Sequence, residues 1–140
     1  MNVVRYTREN WQKIGDEAHL ICFGEAKPKG IDRIDFALLA VKEDIPRGYV
    51  TCREFDAETV YWQFGGAFPG TISTSLSFKA YKSLIDWCRP QYKRITTLIE
   101  NTNLVMLKMA GKMGFRIQGV RVFKGQILVE HLLEFENEHR

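Results

Sequence analysis

The amino-acid sequence predicts a mixed α+β domain, and three observations carry that prediction. Segments rich in β-branched and aromatic residues alternate with segments whose apolar residues recur at helical spacing. Glycine, proline and short polar runs stand at the changes between the two patterns. The chain of 140 residues, 45% hydrophobic and 26% charged, suits one globular core better than a disordered chain or two small cores. A single domain over residues 1–140 is expected, without repeats, low-complexity tracts or a dividing linker.

Asn2 to Tyr6 reads as a short strand. Trp11, Ile14, Ala18, Ile21 and Cys22 then recur at helical spacing, which predicts one helix through about Ala26. Lys27-Pro28-Lys29-Gly30 breaks it. Phe36 to Val41 is apolar enough for a strand covered on both faces, and Pro46-Arg47-Gly48 reads as a turn. Tyr49 to Phe55 and Thr59 to Phe64 form a predicted antiparallel hairpin around Asp56-Ala57-Glu58. Gly65 to Ser75 is the least regular stretch. It leads into a helix whose buried face is marked by Leu76, Ala80, Leu84, Trp87 and Cys88, and which Pro90 ends.

Ile95 to Ile99 is the next strand. Asn103 can accept a first-turn N–H, and Gly114 can take the left-handed conformation that closes a helix between them. Phe115 to Ile117 with Val120 to Phe123, then a run ending near Phe135 after Lys124-Gly125, predict a terminal hairpin. The resulting order is strand, helix, three strands, helix, strand, helix, two strands.

Composition excludes several function classes. The net charge is only +3, with cationic and acidic residues interspersed, so nucleic acid is not an expected partner. Cys22, Cys52 and Cys88 are odd in number, widely spaced and set among apolar residues. They read as reduced, buried thiols in a cytoplasmic protein, with neither a disulfide framework nor a metal pattern. No apolar run reaches the roughly 20 residues that cross a bilayer, so no membrane partner is expected.

Small residues before the second helix let backbone N–H groups approach an anion such as a phosphate, aided by the helix dipole. The plainer reading of the same segment is a strand-to-helix connection without a ligand. His19, His131 and His139 have no neighbouring Ser, Cys or carboxylate arranged as a nucleophile system. Tyr61, Trp62, Phe64 and Phe68, with Tyr81 and Trp87, read as packing residues, an exposed subset of which would suit a protein partner. Met106, Met109 and Met113 read as the packed face of their helix.

Two short motifs sharpen the picture. Ala67-Phe68-Pro69-Gly70-Thr71-Ile72-Ser73-Thr74-Ser75-Leu76-Ser77 runs parallel to a V-x-P-x-x-R-x-x-G-x-G pattern, with Pro69 in register, Ile72 at the Arg or Gln position, and Ser75 and Ser77 at the two glycines. Asn103, Gly114 and Phe115 match N-x-x-A-x-x-x-Y-x-x-x-G-F, with Met106 for Ala and Ala110 for Tyr. Val3-Val4-Arg5 followed by Asn10 as a helix cap suits the same opening. With the order of elements, these residues make the whole chain resemble the GNAT superfamily of N-acetyltransferases.

That resemblance implies a mixed, mostly antiparallel and partly splayed sheet of about seven strands flanked by about three helices. It implies an acyl-coenzyme A-dependent transfer of an acetyl group to an amine, on a small molecule or a protein. Acetyl-coenzyme A would lie between two diverging strands, near Gly66 and Ala67. Its pyrophosphate would be held by the amides of Ile72, Ser73, Thr74, Ser75, Leu76 and Ser77, with Asn103 in the acceptor or coenzyme region. Serine hydroxyls can add donors there, whereas Ile72 brings neither donor nor charge. Ala110 stands where the family commonly has its tyrosine acid and cannot exchange a proton. Tyr61 is then the replacement acid and Glu100 the base, with Glu54, Asp56 and Glu58 as further carboxylates. The alternative is a catalytically inactive GNAT-like binding or assembly module, similar to some small bacteriophage proteins, which would work through a protein partner. A homodimer suits either function.

Overall fold

The computed structural model describes residues 1–24, 33–71 and 75–135. In chain order these form β1 (Asn2–Thr7), α1 (Arg8–Gln12), α2 (Gly15–Phe23), β2 (Phe36–Lys42), β3 (Ile45–Glu54) and β4 (Thr59–Ala67). There follow α3 (Ser75–Cys88), β5 (Arg94–Glu100), α4 (Leu104–Lys112), β6 (Arg116–Phe123) and β7 (Gln126–Glu134). The seven strands make one sheet in the order β1-β2-β3-β4-β5-β7-β6. Every neighbouring pair is antiparallel except β4 and β5, whose parallel alignment requires the crossover that α3 supplies.

Alternation along the central strands sends side chains to two helical layers. Phe36, Leu38 and Ala40 of β2 join Val50 and Cys52 of β3 and Val60 and Trp62 of β4 against Ala80, Leu84 and Cys88 of α3 and Ala110 of α4. Ala37, Leu39 and Tyr49 face the other way, against Trp11 and Ala18 of α1 and α2. A strand buried on both faces has no polar alternation, which is why Phe36 to Val41 reads as one apolar run.

Four helices stand where the apolar spacing predicts three, because the first predicted helix is two. Thr7 rather than Asn10 is the cap: its Oγ1 accepts from the Asn10 N–H at 3.2 Å, so Asn10 lies inside α1. The chain then turns at Lys13 and Ile14, and α2 ends at Gly24 in the left-handed conformation, short of Ala26. Lys27 to Gly30 lie outside the described residues.

Pro46-Arg47-Gly48 belongs to β3 and is not a turn. The turn is Glu43-Asp44, with φ of 55° and 62°, the two-residue hairpin geometry that usually advertises itself through Asn or Gly. Ala40 pairs with Gly48 and Val41 with Pro46, so Arg47 is an extra residue in the strand, and this irregularity accommodates the proline. Gly65 to Ala67 likewise extend β4 instead of opening the loop.

The later elements follow the predicted pattern. Asn103 Oδ1 accepts from the Met106 N–H at 3.2 Å at the start of α4, and Gly114 has φ of 96° just beyond its end. Lys124 and Gly125, with φ of 50° and 77°, make the terminal hairpin turn. Cys22, Cys52 and Cys88 are free, and burial pushes the Cys22 and Cys88 thiols up to about 12. Among the described residues no helix is long and apolar enough to cross a membrane.

A candidate active-site cleft at the fork of the sheet

β4 and β5 pair only from Thr59 with Arg94 to Trp62 with Thr97. Beyond that point β4 stays on β3 as far as Ala67 opposite Gly48, while β5 stays on β7 as far as Glu100 opposite Leu128. Each arm keeps its outer neighbour, and the sheet forks. The cause lies in the β3–β4 ladder, where Cys52 faces Trp62 but Thr51 faces Phe64. Gln63 is the extra residue of a β-bulge, which bends its strand and reverses the alternation beyond it. Phe64 accordingly packs on His19 and Phe23 of α2, whereas Trp62 lies on the α3 and α4 side. Thr97 closes the base of the fork by donating its hydroxyl to the Trp62 carbonyl at 3.0 Å.

Two glycines allow the bent arm to pack closely. A Cβ on Gly65 would come within 2.8 Å of the Tyr49 carbonyl oxygen, and one on Gly66 within 2.9 Å of the Phe23 ring. The composition of this stretch therefore reports close backbone packing.

Between the arms lies a cleft of about 680 Å³. Met106, Ala110 and Met113 of α4 and Phe115 form part of its wall, and Asn103 and Glu100 also line it. Strand alternation puts Thr97 and Ile99 on the α3 and α4 side of the sheet and Tyr61, Leu98 and Glu100 on the opposite side. The cleft is thus lined from both faces. Glu100 is its single charged lining residue among those described, and it is exposed.

Tyr61 is half-buried, stacked on Phe55 with ring centroids 5.1 Å apart. Burial raises its phenol above the usual value, against the opposing pull of Arg121 and Arg53. Asn103 lines the cleft while its side chain caps α4. Ala110 is 1% exposed and fills the position opposite the strands with a methyl group. Gly66 is buried against α2, and Ala67 is the last residue of β4. Ser75 is exposed at the first turn of α3, Leu76 is half-buried and Ser77 is buried. Ile72, Ser73 and Thr74 lie outside the described residues.

The remaining carboxylates sit at the β3–β4 turn, at the opposite end of β4 from the fork. Glu54 accepts from the Tyr92 hydroxyl, and Asp56 Oδ1 accepts from the Glu58 N–H at 2.8 Å, which holds the Asp56 carboxyl below its usual range. Glu58 pairs with Lys93 at 2.5 Å. His19 Nδ1 lies 3.4 Å from the Tyr49 hydroxyl, and His131 Nδ1 is 3.0 Å from the Val129 carbonyl oxygen. His139 is outside the described residues. Among the described residues no group of His, Cys, Asp and Glu could hold a metal.

Sequence reasoning missed Gln63, Thr97 and Phe23 as cleft residues. A bulge has no residue signature of its own. The only available hint was the Gly65-Gly66 pair just after it.

No protein-family model matches the sequence, and no curated protein matches it either. Solved structures do resemble it. The ribosomal-protein-S18-alanine N-acetyltransferase of Escherichia coli superposes with a TM-score of 0.76 at 8% identity, covering 99% of this chain and 97% of that one. A GNAT family acetyltransferase from Elizabethkingia anophelis, solved with acetyl-coenzyme A bound, gives 0.75 at 16% identity over 96% and 99% of the two chains. An IAA acetyltransferase from Bacillus cereus gives 0.73 at 12% identity over 96% and 99%. The forked sheet, the order of elements and these superpositions together show that the chain has the fold of the GNAT acetyltransferases, in a form divergent in sequence.

Proposed function

We propose that the chain is an acyl-coenzyme A-dependent N-acetyltransferase that moves an acetyl group to an amine. The observation that carries this reading is the fork after Trp62 and Thr97, with its cleft of about 680 Å³. From Gln63 to Ala67 the edge of β4 toward β5 has no strand partner, so its backbone groups are available to an extended ligand that carries amides. The pantetheine arm of coenzyme A has that form. Ser75, Leu76 and Ser77 at the start of α3 would serve its phosphates through backbone N–H groups, with Gly66 and Ala67 ending the strand that leads there and Ile72, Ser73 and Thr74 completing the connection. The acyl donor, when bound, supplies a thioester carbonyl open to attack by nitrogen.

The chain's own groups divide the proton work. Glu100, charged and on the cleft, takes a proton from the incoming ammonium. Tyr61, a phenol that is protonated at neutral pH and whose pKa burial raises further, donates to the departing thiolate in place of the tyrosine that Ala110 replaces. Asn103 holds α4 in position as its cap. Amine-bearing small molecules and protein N-termini are both acceptors of the right chemistry, and the E. coli and E. anophelis structures support the reading at the level of fold.

Calorimetric titration with acetyl-coenzyme A tests the proposal: a measurable heat and a raised melting temperature are expected. No heat and no thermal shift at millimolar ligand would sink it. Ala110 favours a second reading, a binding module without catalysis, in which the exposed apolar residues Ile117, Val120 and Val122 of β6 meet a protein partner. Measured acetyl transfer with no captured partner refutes that reading.

A further inference from the structure

Tyr81 lines the cleft from α3, on the wall that α4 continues. The Cβ of its neighbour Ala80 lies 3.4 Å from where a Cβ on Gly48 would stand, and Gly48 pairs with Ala67 at the end of β4. The Cβ of Cys22 lies 3.0 Å from where a Cβ on Gly66 would stand, and the Cys22 thiol is close enough to act on the Tyr81 phenol. The hydroxyl end of the ring is therefore near Gly66. Gly66 is four residues beyond Trp62 and Glu100 three beyond Thr97, so the phenol and the carboxylate stand at nearly the same height above the base of the fork.

Tyr81 is 8% exposed. Among the described residues its hydroxyl has no hydrogen-bond partner, yet it is not one of the fully enclosed polar atoms, so it opens on the cleft that its ring lines. Buried hydroxyls in native proteins normally have a partner. Burial foremost, and then the Cys22 thiol, push this phenol up to about 12, so at neutral pH it carries its proton and is a donor. The rest of that wall has little to donate. Met106, Ala110 and Met113 of α4 have no side-chain donor, Thr97 gives its hydroxyl to the Trp62 carbonyl, and the Trp62 indole Nε1 is enclosed. Asn103 is exposed at the start of α4.

We infer that Tyr81 is a catalytic residue whose hydroxyl donates to the thioester carbonyl oxygen and holds the negative charge that gathers there during amine attack. This inference rests on the acetyltransferase reading of the cleft. The choice of acceptor follows from what else the ligand presents. The amides of a pantetheine arm can use the unpaired backbone of β4 and need no side chain. A thioester has no N–H of its own, and its oxygen needs a donor once charge builds on it. Glu100 points to the opposite face of the sheet and receives the ammonium proton there. While the nitrogen lone pair forms the carbon–nitrogen bond, the carbonyl electron pair moves onto oxygen, where the Tyr81 O–H meets it and keeps its own proton. The pair returns as the carbon–sulfur bond breaks and sulfur keeps its electrons. Tyr61 supplies the thiol proton, and the second proton lost by nitrogen restores Tyr61.

Tyr81→Phe removes the hydroxyl and keeps the ring. Without ligand it should melt no lower than the parent chain, because the hydroxyl bonds nothing in the fold. Its Kd for acetyl-coenzyme A should stay within about tenfold of the parent's, since a neutral carbonyl gains little from a bond that it exchanges with water. Its kcat should fall about 10²-fold or more, with little change in the amine KM. Infrared spectroscopy of bound acetyl-coenzyme A decides the contact without turnover. In the parent complex the thioester carbonyl band should lie below its frequency in the free compound, and in the Tyr81→Phe complex it should move back toward the free value. A band at the same frequency in both complexes would overturn the inference, as would an unchanged kcat. A ligand-free melting temperature several degrees below the parent's would do so too, by showing that the hydroxyl already serves the fold. Failure of the parent chain to bind acetyl-coenzyme A removes the acetyltransferase reading and this inference with it, whereas binding with a band indifferent to Tyr81 removes the inference alone.

Discussion

The two arms that part at Trp62 and Thr97 are held in different ways. The β1–β4 arm is packed on both faces, by α3 on one side and by α1 and α2 on the other, and its strands bury Phe36, Leu38, Val50 and Val60 almost completely. The β5–β7 arm rests on α4 through β5 but leaves β6 open, with Ile117, Val120 and Val122 exposed at 65%, 62% and 76%. Its outer hairpin is fastened by its ladder and by the surface pairs Arg116 with Glu134 and Arg121 with Glu130. Exposed ion pairs contribute little, typically below about 1 kcal/mol each. The contrast assigns roles to the two walls of the cleft. A strand can carry a bulge such as that at Gln63 where packing on both faces fixes its path, and the opposite wall is the one free to adjust.

The largest effect expected belongs to the cleft itself. Glu100→Gln should lower kcat/KM for the amine by about 10²- to 10⁴-fold if its carboxylate is the base. The side chain is exposed at the end of β5, so the melting temperature should hardly change. Steady-state kinetics beside a melting curve reads both, and retained activity would move the base elsewhere. Tyr61 adds a pH signature. Burial raises its pKa, so an alkaline loss of rate that Tyr61→Phe abolishes should lie above the usual tyrosine range.

Core substitutions test the contrast between arms directly. Leu84→Ala, in α3 against the β1–β4 arm, should cost about 2–5 kcal/mol of unfolding free energy. Val122→Ala on β6 should stay within about 0.5 kcal/mol, because it removes little buried surface. Denaturant titrations of the two variants give the comparison, and equal losses would mean that β6 is covered in solution.

The sequence made the packed arm easy to read and the fork hard. Phe36 to Val41 and the Leu84 face of α3 announce burial through composition alone, since covering a strand on both faces demands an unbroken apolar run. Asn103 and Gly114 mark α4 because capping requires particular side chains and particular φ values. Gln63 has no such mark. Its position depends on a one-residue difference in register between β3 and β4, a property of two strands that neither shows alone. Glu43-Asp44 escaped notice for a related reason: its positive φ values are imposed by the hairpin it closes, against the preference of either residue. Long-range pairing decided what local chemistry left open, and the candidate site lies where that pairing stops.

The joint between the arms should be weaker than either core and stronger than the surface pairs. Thr97→Val keeps the shape of the side chain and removes the hydroxyl that the Trp62 carbonyl accepts, at a cost of about 1 kcal/mol. Because the bond ties the two arms together, hydrogen exchange should quicken in the last residues of β5 before it does in β2 or β3. Uniform exchange across the sheet would show that the ladder from Thr59 to Trp62 holds the fork without it.

The smallest expected effect concerns acid stability of the outer hairpin. Glu130 accepts from Gln118 Nε2 at 2.9 Å and from Arg121 Nη2 at 2.6 Å, and these bonds, the first foremost, lower its carboxyl below the ordinary 4.5. A group whose pKa is lower folded than unfolded contributes stability that is fully present above the unfolded value. That contribution is lost as pH falls through the folded one. Melting temperatures of the parent chain and of Glu130→Gln should therefore differ most above pH 4.5 and converge as the pH drops further below it. The difference should be slight, since the hairpin faces water and salt screens its charges. Gln118 is the extra residue where Ile117 pairs with His131 and Gly119 with Glu130. A pH-dependent gap larger than the loss from Thr97→Val would mean that this bulge, rather than the base of the fork, governs how the softer wall of the cleft is held.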